Sequence, residues 1–182
     1  MAGGRELDRA KLKDLVLYFA RESAKDEGFG MVKLNKLLYR ADFEAYRLLG
    51  RSITGETYEK QEWGPVGRHV PIVLDELGAA GYLRWQFMER GEHTQKIPTA
   101  TEVPDLSQFQ SEELQLISEV LAELLPYGGK SVSEWSHQAS AGWRVVDIGE
   151  EIPYETSLIA SESPPEKAVE QLRQRVLADS WD

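Results

Sequence analysis

The sequence predicts a mainly α domain of the α+β class, a helical body carrying a small winged-helix-like antiparallel β-hairpin. Three observations carry this expectation. Apolar residues return at i, i+3, i+4 and i+7 over several separate stretches, which is the spacing of one buried helix face. Two alternating runs, YLRWQFM and HTQKIPT, flank the turn-like ERGE, as the strands of a hairpin would. Glycines and S-x-x-E pairs punctuate the helical stretches at the positions expected of stops and caps.

Taken in order, residues 1–6 read as a frayed tail, and the single domain is expected over 7–179. From Asp8 to about Asp26, Leu12, Leu15, Val16 and Phe19 mark a first helix, which EGFG ends. A second runs from Met31 to Leu49. Its stripe is Leu34, Leu37, Leu38, Ala41, Ala45, Leu48 and Leu49, and Gly50 is its stop. The β-leaning Ile53, Thr54, Thr57 and Tyr58 predict a short strand near 56–63. Gly64 and Pro65 then read as the device that ends this strand and launches a third helix, with Val70, Val73, Leu74 and Leu77 facing inward and Gly81 as its stop. Pro71 fits within the first turn. The hairpin follows, with the 56–63 strand as the expected third member of its sheet. Ser111 is expected to cap a helix to about Leu125, and Ser131 with Glu134 to cap another from Val132 to about Ser140. Ser163, Pro164 and Glu166 predict a last helix at about 164–179, burying Val169, Leu172 and Val176.

Composition narrows the function. There are no cysteines, so disulfides, thiol catalysis and Cys-based metal sites are excluded. With 21 basic against 31 acidic residues the net charge is −10, a field that opposes nucleic acid and favours a basic partner. No apolar run is long enough to span a membrane. The start MAGGRELDRA lacks the apolar centre of a signal peptide, so the expected location is cytoplasmic.

Chemistry-bearing motifs are absent. His69, His93 and His137 are far apart and belong to no metal-binding spacing. Ser136 and His137 are neighbours, which on a helix do not face each other. GFGMVK and YGGKS are fragments of phosphate loops and serve as helix stops. Asp42 with Glu44 reads as part of a solvated face. No cofactor, metal or catalytic residue is therefore assigned, and the chain is not expected to be an enzyme. The remainder of the second helix, Lys33, Asn35, Lys36, Tyr39, Arg40, Asp42 and Tyr46, sets aromatics beside cations, a composition that suits protein–protein contact and equally a packed helix edge.

These residues carry a resemblance. KLNKLLYRADFEAYRLLGRSITGETYEKQEWGPV resembles the signature of the Panacea domain of SocA-like antitoxins. Lys33, Leu34, Lys36, Leu37, Leu38 and Tyr39 match its helix; Gly50, Ile53, Thr54 and Glu56 match its next stretch. Trp63, Gly64, Pro65 and Val66 match its aromatic-Gly-Pro-Val turn, where tyrosine is commoner than tryptophan. YGGKSVSEWSHQASAGWR resembles a later run, through Gly128, Ser136, His137 and Trp143, with Trp135 where leucine is commoner, and IPYETSLI resembles its tail.

The resemblance implies an antitoxin that neutralises a cognate protein toxin by direct contact, with SocA-like members also delivering the toxin to a protease. A basic, translation-targeting toxin would complement the negative charge. The candidate contact residues are Lys33, Lys36, Tyr39, Arg40, Tyr46, Trp63, Gly64, Pro65 and Arg68, with Trp63 either packed under the second helix or shown to a partner. The alternative is a winged-helix DNA-binding regulator, in which Arg84, Arg90, His93 and Lys96 would be wing contacts; the acidic balance weighs against it.

Overall fold

The computed structural model describes residues 6–91 and 93–159. The predicted terminal helix at 164–179 and the tail, save Glu6, lie outside them. Helix α1 (Arg9–Glu22) starts on Asp8, whose side chain accepts from the Lys11 N–H at 3.0 Å, and buries Leu12, Leu15, Val16 and Phe19. Helix α2 (Met31–Leu49) is the axis of the domain, packing against α1 and against most of the elements that follow. It ends where Gly50 takes φ 74° and returns its N–H to the Tyr46 carbonyl. Leu48, expected inside, is 55% exposed, because the stripe drifts outward in the last turn.

Strand β1 (Tyr58–Gln61) pairs antiparallel with β2 (Gly64–Gly67), from Tyr58↔Gly67 to Gln61↔Gly64. Two expectations change at this point. Gly64 and Pro65 belong to a strand and do not lead straight into a helix. Nor does β1 join the later hairpin; the two sheets are separate. Its second neighbour is the chain at 149–152, held by Lys60 N–H to Glu150 O at 2.9 Å and Ile152 N–H to Tyr58 O at 2.8 Å.

Helix α3 (Val70–Ala79), with Pro71 in its first turn, leads through Gly81 (φ 76°) into β3 (Leu83–Arg90) and β4 (His93–Ala100), in register from Leu83↔Ala100 to Arg90↔His93. This is the predicted helix–hairpin unit. Helix α4 (Ser111–Leu124) is capped one residue earlier than expected: Glu113 reaches back to the Gln110 N–H at 2.9 Å. Helix α5 (Gly129–Ala139) also starts earlier, since Ser131 accepts from Gly128 N–H and so lies inside the first turn. Ser140 caps the short α6 (Ala141–Val145) by accepting from Trp143 N–H, and a 3-10 turn follows at Tyr154–Leu158. The core is continuous: Leu34, Leu37, Leu38 and Ala41 of α2 meet α1, Val73 and Leu77 of α3, Ile117 and Leu124 of α4, and Val132 of α5.

Candidate partner-binding surface around α2

Asp42 organises the site. It stands on the inner face of α2, fully buried, and its carboxylate accepts from Ile53 N–H (2.9 Å), Thr54 N–H (2.7 Å), Thr54 Oγ1–H (2.5 Å) and Tyr58 O–H (2.7 Å). Reading Asp42 as part of a solvated face is thus overturned. Burial pushes its carboxyl up to about 6, against the pull of the Thr54, Tyr58 and Ile53 hydrogen bonds. The signal was present in the sequence: Asp42 is four residues beyond Leu38, on the apolar stripe itself. Glu56, also buried, accepts from Thr57 N–H (2.6 Å), from His69 N–H (3.1 Å) and shares a 2.9 Å contact with His69 Nδ1. Tyr154 O–H donates to the Glu56 carbonyl at 2.7 Å. The ITGETY loop is therefore pinned at both ends to α2 and its neighbours.

The nine predicted contact residues divide in two. Lys33, Lys36, Tyr39, Gly64 and Pro65 are buried and offer a partner no surface. Lys33 Nζ donates to Asp26 Oδ2 at 2.5 Å and to the Leu125 and Tyr127 carbonyls at 3.1 and 2.7 Å, which closes the C-terminal end of α4 onto α2. Lys36 donates to the Pro65 carbonyl at 3.2 Å and lies beneath Gly64. Tyr39 O–H and Ser140 Oγ share a hydrogen bond of 2.6 Å.

Burial pushes the Lys36 ammonium down to about 7. Since that is below its unfolded value of 10.5, its stabilising contribution is complete above pH 10.5 and is lost as pH falls through 7. Lys36→Met is expected to raise stability at pH 7 by on the order of 2–4 kcal/mol. It should also flatten the rise in denaturation midpoint between pH 7 and 10.5. Urea titrations across that range check both.

Arg40, Tyr46, Trp63 and Arg68 reach the surface, and they do so at separate places. Arg40 donates to Glu44 (2.8 Å) and Glu123 (3.0 Å) and lies over Trp135. It rims a groove of about 390 Å³ between α2, α5, α6 and the last 3-10 turn, with Tyr39, Phe43, Ser140, Gly142 and Leu158 among its lining. Sequence reasoning missed this groove, since its walls come from chain segments about a hundred residues apart. Tyr46 donates to Glu155 at 3.2 Å.

Trp63 sits in the β1–β2 turn, 62% exposed, with its carbonyl accepting from Ser133 Oγ at 3.1 Å. Of its two predicted placements, core or surface, it takes the surface. Arg68 is exposed and paired with Glu59 at 2.7 Å. The neighbouring Trp143 donates Nε1–H to the Gln61 carbonyl at 3.1 Å and stacks on His137, with Lys60 over its ring. Burial, then Lys36 and Lys60, hold the His137 imidazole below its usual range.

The cations proposed as wing contacts are dispersed. Arg90 donates to the Glu27 carbonyl and to Gln95, and Lys96 lies 3.8 Å from the Trp85 ring centre. Arg84 is exposed, and the side chain of His93 lies outside the described part. Helix α3, which precedes the wing, contains no lysine or arginine and exposes Ile72 and Asp75. A recognition helix needs the opposite charge toward phosphate.

The family described as Antitoxin SocA-like, Panacea domain matches residues 34–144, from α2 to α6, which is more than half the chain. The chain belongs to this family. No curated protein and no solved structure matches it. Among the described residues no helix is long and apolar enough to cross a membrane.

Proposed function

We infer that this chain is an antitoxin that neutralises a cognate protein toxin by direct contact, without chemistry of its own. The observation that carries the reading is the family match over residues 34–144. The net charge of −10 supports a basic toxin, of the kind directed at the translation machinery, and steers its encounter. Delivery of the bound toxin to a protease is the second route that the family resemblance suggests.

Co-expression with the product of the adjoining reading frame is the test. Growth arrest by that product alone, relieved by this chain, is the expected result. Rescue that persists in a protease-deficient host identifies masking; rescue lost there identifies delivery. The association rate of the purified pair should fall as salt rises. Absence of both rescue and a complex would overturn the reading.

A further inference from the structure

The geometry points to the toxin-docking surface: the apolar patch of Trp63, Val145 and Ile148, with its acidic border, receives a basic face of the toxin. This rests on the antitoxin reading above and names the contact surface within it.

The three side chains are 62%, 69% and 67% exposed. They come from distant parts of the sequence and are gathered around Lys60 and Gln61 by hydrogen bonds. Lys60 Nζ donates to the Val146 carbonyl at 2.8 Å, and Gly149 N–H donates to the Lys60 carbonyl at 2.8 Å. Trp143, next in chain to Arg144 and Val145, donates to the Gln61 carbonyl. Trp63 is two residues beyond Gln61. The patch is thus assembled by backbone and side-chain bonds and does not depend on a loop folding onto a partner.

Trp63 has the properties of an interface anchor. A two-residue turn between strands is best served by small polar residues such as Asn-Gly. In this chain it is Glu62-Trp63, with the indole turned to solvent. The backbone beneath is held: Ser133 bonds the Trp63 carbonyl, and Gly64, at φ 105°, lies against Lys36 and Ser136. A large aromatic on a rigid mount loses little freedom on binding, which is why tryptophan is enriched among residues that dominate interfaces.

Charge selects the occupant. Glu62 is next in chain to Trp63, Asp147 is next to Ile148, and Glu150 and Glu151 follow; all four are exposed, with Glu150 accepting from the Asp147 N–H at 2.9 Å. The cations nearby are largely engaged: Lys60 with Val146 and the Trp143 ring, Arg68 with Glu59. Arg144 is exposed among them. An apolar centre with a mainly acidic rim fits a partner presenting an apolar pocket bordered by lysine or arginine.

The experiment uses the full chain and the toxin from the adjoining reading frame, with surface plasmon resonance and growth rescue as readouts. Trp63→Ala combined with Ile148→Ala is expected to weaken binding by about 100-fold and abolish rescue, with the thermal midpoint unchanged. Glu62→Lys with Asp147→Lys, at exposed positions that carry no core packing, should slow association about 10-fold and reduce its salt dependence. Phe87→Ala, on the equally exposed β3–β4 hairpin, should bind as wild type. If wild type rescues and binds while both double variants do the same, or if Phe87→Ala alone abolishes binding, this surface is wrong and the antitoxin reading stands. If wild type neither rescues nor binds, that reading falls and the surface with it.

Discussion

Asp42→Ala is expected to unfold the domain or leave it barely stable, a larger loss than removal of any one of its hydrogen-bond partners would cause. The side chain removed is the shared acceptor for two backbone N–H groups, one threonine hydroxyl and one tyrosine hydroxyl, all buried. Each buried donor left without a partner costs about 1–3 kcal/mol. Even with partial relaxation the loss is ~4 kcal/mol or more, comparable with the whole stability of many small domains. Asp42→Asn makes the test sharper. It keeps the shape and the oxygen that the Ile53 and Thr54 N–H groups need, but turns an amide NH2 toward the Thr54 and Tyr58 hydroxyls, whose own protons then lose their acceptor. It should recover only part of the loss. Urea denaturation of the two variants, with equal midpoints for both and for wild type, would show that the carboxylate does not organise the ITGETY loop.

Gly64→Ala comes next. Gly64 has φ 105°, a conformation that L side chains rarely adopt. A Cβ there would lie 2.5 Å from Lys36 Cε, 2.7 Å from Lys36 Nζ and 2.7 Å from Ser136 Oγ. The lysine tip has nowhere to retreat, since its side chain is buried and its ammonium is bonded to the Pro65 carbonyl beside it. Strain and overlap together should cost about 2–4 kcal/mol. The paired change Lys36→Ala with Gly64→Ala should relieve the overlap with Lys36 and leave the contact with Ser136 and the backbone part. A thermal melt in which the double variant is no more stable than Gly64→Ala would show that Lys36 is not what the new methyl group meets.

These two positions show where the sequence was legible. The periodicity of α1 and α2, the Gly50 stop and the helix–hairpin unit were readable, because each follows from local spacing or local turn chemistry. Asp42 was not, although it sits on the stripe: its partners lie eleven to sixteen residues away, in a loop whose path the pattern does not give. Strand β2 is a second case. Gly-Pro-Val-Gly has almost no intrinsic strand preference, and proline cannot donate to a ladder. It is a strand because β1 lies beside it and Asn35 of α2 accepts from the Gly67 N–H at 3.2 Å. The groove and the exposed patch depend on contacts of the same long range, so the expected contact list mixed buried supports such as Lys33 and Lys36 with surface residues such as Arg40 and Trp63.

The chain at 149–154 has a consequence for the order of synthesis. Residues 149–152 complete the sheet beside β1, Ile152 is buried, and Tyr154 stacks on Phe43 of α2 at 4.5 Å. All of them lie beyond residue 144, where the family match ends. While the chain is still on the ribosome, the aromatic face of α2 has Tyr58 to pack on it but lacks Tyr154, and β1 has a bare edge, until residues 149–154 emerge. A product cut at residue 144 would carry the family signature and lack the lid of its own core. Folding of this domain is thus a late event in its synthesis, and the boundary of the recognisable motif is not the boundary of the stable protein.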